Sequence, residues 1–122
     1  MRLIIGGLGQ GKRAYAAAAY GLSETDFARD LESAKAAKAL YGLEEVIAAC
    51  LQAGTEPEPL IDALVTANPE IILLCRELGC GVVPMDAAQR EWRERTGRIC
   101  CELAKKADSV ERVLCGLPLK LK

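Results

Sequence analysis

The chain has 122 residues, 51% hydrophobic and 27% charged, enough for one cooperative core, too short for two, and neither disordered nor fibrous in composition. Sixteen Lys and Arg against seventeen Asp and Glu leave a net charge of -1, which argues against charge-driven binding of nucleic acid. The chain has no histidine. Ser-His-Asp triads, Cys-His pairs, zincin sites and phosphohistidine or nucleotidyl-histidine intermediates are therefore excluded.

No apolar run approaches the ~20 residues of a membrane helix, and only Arg2 follows Met1 before the first apolar segment. Neither a signal peptide nor a membrane partner is expected, and a cytoplasmic location follows. The six cysteines, Cys50, Cys75, Cys80, Cys100, Cys101 and Cys115, then read as thiols in a reducing compartment, and without histidine a structural zinc site is not expected.

In chain order, Arg2, Leu3, Ile4 and Ile5 form a short apolar run that ends in glycines, the pattern of a buried parallel strand. Residues 6–11 form a glycine-rich turn, and residues 12–20, KRAYAAAAY, favour a helix that Gly21 ends. Ser23 and the alanine- and charge-rich stretch up to Lys38 predict a surface helix. Leu43, Val46, Ile47, Cys50 and Leu51 recur at helical spacing until Gly54. Residues 55–59 read as a turn. A short helix carries Leu60, Ile61, Leu64 and Val65 up to Asn68 and Pro69.

Residues 70–75, EIILLC, read as a central parallel strand. After a second glycine turn (Gly79, Gly81) and an extended piece to Pro84, Asp86 is a plausible cap for a long helix. Its inner side carries Trp92, Thr96, Ile99, Cys100, Leu103 and Ala107; Arg90, Glu91, Glu94, Arg98, Glu102 and Lys105 face away. Residues 110–115 read as the last strand, ended by Gly116 and Pro118 before a basic tail. The pattern is one α/β domain over residues 1–122, a parallel sheet of few strands, about four, flanked by helices, with ligands beyond the carboxyl ends of the strands.

Gly6, Gly7, Leu8, Gly9, Gln10, Gly11 and Lys12 spell G-x-x-x-x-G-K between a strand and a helix, the context of a phosphate-binding loop. Glycines turn backbone N–H groups inward, the helix N-terminus adds partial positive charge, and Lys12 adds a full charge near the β and γ phosphates. The next position ordinarily carries a Ser or Thr whose hydroxyl binds Mg²⁺; here it is Arg13. Arg13 either contacts phosphate directly or lies on the helix surface. Glu77, after the central strand, is the candidate for holding Mg²⁺ or orienting the acceptor, against the alternative of a carboxylate paired with Arg76. Asp26 and Asp30 are weaker candidates.

Read together, the loop and residues 77–122 resemble the adenosylcobinamide kinase / adenosylcobinamide-phosphate guanylyltransferase family. The resemblance rests on Glu77, Gly79, Gly81, Val82, Val83 and Pro84; on Arg90, Trp92, Arg93, Glu94, Gly97 and Arg98; on Ala107, Asp108 and Val110; and on Gly116, Lys120 and Lys122. It implies a P-loop NTPase-like fold, shortened relative to the family, in cobalamin (corrinoid) metabolism. It further implies binding of ATP or GTP with Mg²⁺ through Gly6 to Arg13, phosphorylation of a cobinamide with Lys12 and Glu77 as catalytic groups, and ring-like homo-oligomers. Transfer of a nucleotide through a guanylylated histidine is not implied, because that residue is missing. Two other readings stand beside the kinase: a non-catalytic relative that keeps the loop as a sensor or structural turn and works through a partner surface, and, weakest, a thiol redox protein.

Overall fold

Arg2–Gly6 forms strand β1, and Leu3 and Ile4 are both fully buried although they point to opposite faces. A strand covered on both faces is uniformly apolar, which is why the run shows no polar alternation. The computed structural model describes residues 1–78 and 86–122. The second glycine turn and residues 82–84 of the sequence reading lie outside them.

Lys12–Tyr20 is helix α1, entered at Gly11 with φ 87° and left at Gly21 with φ 63°, both left-handed conformations that glycine adopts without strain. Residues 23–38 do not form the single surface helix expected from their composition. A 3-10 turn at Glu24–Asp26 leads into strand β2, Phe27–Ala28; helix α2 spans only Leu31–Ala34; and strand β3, Ala39–Tyr41, follows. Asp26 is spent on a capping box with Ser23, and Asp30 accepts from the Ser33 amide at 2.8 Å, so these carboxylates break the segment into short pieces. Burial of Ala28, Ala39 and Leu40 in the sheet then outweighs the alanines' preference for helix.

Leu43–Gln52 is helix α3 and Pro57–Ala67 helix α4. The latter starts inside the expected turn, because proline's fixed φ and missing N–H suit the first helical position. Ile72–Arg76 is strand β4, and Asp86 caps helix α5, Ala87–Lys106, by accepting from the Ala88 amide at 2.8 Å. Strand β5, Ser109–Leu114, does not end the sheet as expected. Cys115 (φ 52°) and Gly116 (φ 75°) turn the chain back into strand β6, Leu117–Lys120.

Among the described residues the sheet therefore has six strands rather than about four, in the order β2-β3-β4-β1-β5-β6, all parallel except the β5–β6 hairpin. On one face α1 packs through Ala16 and Tyr15 on Ile4, Leu74 and Val113. On the other, Val46, Ile47, Ile61, Leu64, Ile99 and Leu103 bring α3, α4 and α5 onto Leu3, Leu73 and Cys75. This is the α/β architecture of P-loop NTPase-like proteins, with the carboxyl ends of β1 and β4 meeting at the glycine loop, where Gly6 pairs with Arg76. No helix among the described residues is long and apolar enough to cross a membrane.

Candidate phosphate-binding loop and its surroundings

The loop is shaped by steric exclusion. A Cβ at Gly6 would lie 2.6 Å from the Val113 carbonyl oxygen and 3.2 Å from Lys12 Cγ, so no larger residue fits there. Gly9 and Gly11 take φ of 73° and 87°. Gln10 ties the loop to the β5–β6 turn: its side-chain oxygen accepts from the Cys115 amide at 2.7 Å, and its carbonyl from the Gly116 amide at 2.8 Å. This residue is a strut. Leu8, by contrast, is 76% exposed at the tip.

Lys12 is only 8% exposed, and its ammonium donates to the Gly7 carbonyl at 2.9 Å. Desolvation holds its pKa below the ordinary lysine value; the charges of Glu44 and Glu77 oppose that, while Arg76 adds to it. The carboxylate acting most strongly on Lys12 is Glu44, which the sequence reading passed over. It follows Gly42 (φ 87°) at the start of α3 and is 5% exposed. Its Oε1 accepts from the Arg76 amide at 2.7 Å, and its carbonyl from the Trp92 indole N–H at 2.7 Å. Its local sequence does not mark it, because the strand β3 that precedes Gly42 is only three residues long.

Glu77 stands where the sequence placed it, beyond β4, with its amide donating to the Gly6 carbonyl at 3.0 Å. Its partner is Arg112 of β5: Nε sits 2.9 Å from Oε1, and Nη2 donates to Oε2 at 3.1 Å. The expected alternative of a pair with Arg76 is not what forms. Arg76 instead lies over the Trp92 ring, 5.7 Å from its centroid. Arg13 points sideways along the sheet, 5.0 Å from the Phe27 centroid and 5.5 Å from that of Tyr41, with Glu24 3.6 Å away. Asp26 and Asp30 act as caps away from the loop.

Among the described residues, two cavities flank the loop. One, of about 520 Å³, is lined by Gly9, Lys12, Arg13, Glu24, Phe27 and Tyr41; the other, of about 440 Å³, by Gly7, Leu8, Arg76, Glu77, Trp92 and Arg93. Among the described cysteines none is disulfide-bonded; Cys75 and Cys100 touch, Sγ to Sγ 3.6 Å, across the β4–α5 contact.

Among the described residues, the donor set at this loop does not suit a divalent cation. The hydroxyl position is a guanidinium turned away, and a dication at Glu77 would meet Arg112 at ion-pair distance.

The fold is thus that of a P-loop NTPase-like α/β protein. The family of cobinamide kinase / cobinamide phosphate guanyltransferase matches residues 33–121, most of the chain, and the chain belongs to that family. It is 34% identical over 67 residues to the bifunctional adenosylcobalamin biosynthesis protein CobU of Salmonella typhimurium, and 33% identical to that of Escherichia coli; each match covers 55% of this chain and 37% of the relative. It is also 33% identical to the bifunctional adenosylcobalamin biosynthesis protein CobP of Pseudomonas aeruginosa, over 55% of this chain and 39% of that one. The chain thus matches well under half the length of these relatives. The glycine loop precedes the residues matched to the family, so its reading rests on its own geometry.

Proposed function

We propose that the chain binds a purine nucleoside triphosphate, ATP or GTP, through the backbone of Gly6, Gly7, Leu8, Gly9, Gln10 and Gly11 and the ammonium of Lys12, as part of corrinoid metabolism, with a cobinamide hydroxyl as phosphoryl acceptor. One observation carries this reading: a glycine-shaped turn between a buried strand and a helix N-terminus, with a buried lysine folded onto the turn's own carbonyl. A phosphate would replace that carbonyl as the lysine's partner and draw on the helix dipole. Lys12 would meet the charge that develops on the transferred phosphoryl group. Glu77, paired with Arg112, is the group proposed to orient the acceptor hydroxyl.

Thermal unfolding with ATP and with GTP tests the reading. A ligand at ~100 times its Kd contributes ~2.7 kcal/mol, a rise of roughly ten degrees for a domain of this size. The rise should vanish in Lys12→Ala; no rise with either nucleotide would remove the reading. Transfer of labelled phosphate to cobinamide tests the kinase step. Binding without transfer would favour the second reading, a non-catalytic nucleotide sensor, which the sideways Arg13 supports. For the homo-oligomer implied by the resemblance we propose edge strand β6 and the residue after it as the contact, since Leu117, Leu119 and Leu121 are all more than half exposed, and light scattering tests it.

A further inference from the structure

We propose that Arg76, rather than a divalent cation, neutralises the polyphosphate held by the loop, so that nucleotide binding is independent of Mg²⁺. This rests on the nucleotide reading above and deepens it.

Arg76 ends β4 opposite Gly6 in the parallel register, so its side chain starts beside the first residue of the loop. Its backbone is fixed by Glu44, whose Oε1 accepts the Arg76 amide at 2.7 Å. Its guanidinium lies on Trp92, and that indole is in turn held by the Glu44 carbonyl. A guanidinium held over a ring can still turn N–H donors toward a phosphate, which it can grip with two parallel hydrogen bonds.

The cavity beside it is lined by Gly7, Leu8 and Trp92, and Gly7 carries the carbonyl to which Lys12 donates, although Lys12 itself lines the cavity on the other side of the loop. The Arg76 charge also bears on Lys12, helping to hold its pKa down. Two cations near enough to oppose each other are relieved by an anion between them. Where a magnesium site ordinarily has a hydroxyl and a carboxylate, the chain has Arg13 lying against Phe27 and Tyr41 and Glu77 paired with Arg112. The missing positive charge is supplied by the protein.

Isothermal titration of the full chain with ATP, in Mg²⁺ and in EDTA, tests this on wild type, Arg76→Gln and Arg76→Lys. Wild type should bind in EDTA within about threefold of its affinity in Mg²⁺, whereas Arg76→Gln should weaken binding in EDTA by about tenfold or more. Arg76→Lys, which keeps the charge and loses the fork, should fall between. Unliganded thermal midpoints of the variants report whether the fold is kept, and Arg76→Lys decides if Arg76→Gln does not fold. Wild-type binding that requires Mg²⁺ overturns the proposal and leaves the nucleotide reading standing, as does unchanged binding in the folded variants. No heat from wild type in either buffer overturns both.

Discussion

On the α1 side of the glycine loop a guanidinium is clasped from several directions: Arg13 lies against Phe27 and Tyr41 and pairs with Glu24. On the α5 side Arg76 rests on the single ring of Trp92 and borders an open cavity. Both guanidiniums line a cavity beside the loop; the charge of Arg13 is already met by a carboxylate, whereas that of Arg76, among the described residues, is held over a ring face. An arginine beside a phosphate-binding loop is thus not informative by position alone; what its planar face and N–H edge already touch decides what it can do.

Gly6 is the pivot between the two sides, and changing it is the most damaging way to break the comparison. The added methyl of Gly6→Ala would meet Val113 backbone oxygen, which cannot move without shifting β5, and would press on the Lys12 stem. Loss of about 2–3 kcal/mol is expected, read from the midpoint of urea unfolding. A change below about 0.5 kcal/mol would mean that the loop relaxes freely and that neither side is fixed as described.

A smaller effect separates the two arginines directly. Arg13→Ala removes two ring contacts and a partly exposed ion pair, for about 1 kcal/mol of stability. ATP affinity should hold, because the guanidinium is already engaged by Phe27, Tyr41 and Glu24. Equilibrium unfolding and titration of the same preparation give both numbers. A fall in affinity without a fall in stability would reverse the roles assigned to the two sides.

The difference between the sides was only partly legible in the sequence. The loop's strand, turn and helix were readable because β1 and α1 are long enough to show their composition and their glycine boundaries. Strands β2 and β3 were not, since two and three residues carry no periodicity and their alanines favour a different element. The β5–β6 hairpin was hidden because Cys115, a non-glycine, takes a positive φ in its turn. At the site, Glu77 and Lys12 could be named from local context. Glu44 could not, because its role consists of contacts to residues 32 and 48 positions away, and Arg112 reaches Glu77 across 35. Chemistry carried by neighbours in sequence can be read from a motif; chemistry carried by neighbours across a sheet cannot.

The subtlest difference between the sides is in how their helices are fastened. α1 is tied to β5 by Tyr15 and Tyr20, whose hydroxyls both donate to the Glu111 carboxylate, whereas α5 is tied to α3 by the Trp92 indole, which does not titrate. The bond to Glu111 raises the phenol pKa of Tyr15, and burial followed by the same carboxylate raises that of Tyr20. Because the folded values lie above the unfolded one, this stabilisation is complete below the ordinary tyrosine pKa of about 10 and is lost as pH rises beyond it. Unfolding midpoints taken from about pH 8 to 11 should therefore fall more steeply for wild type than for the Tyr15→Phe/Tyr20→Phe variant. Trp92→Phe should lower stability by the same amount at every pH, since it removes a bond with no titrating partner. Parallel pH curves for wild type and the tyrosine variant would show that Glu111 does not fasten α1 through these hydroxyls, and the contrast between the two sides would then reduce to their arginines.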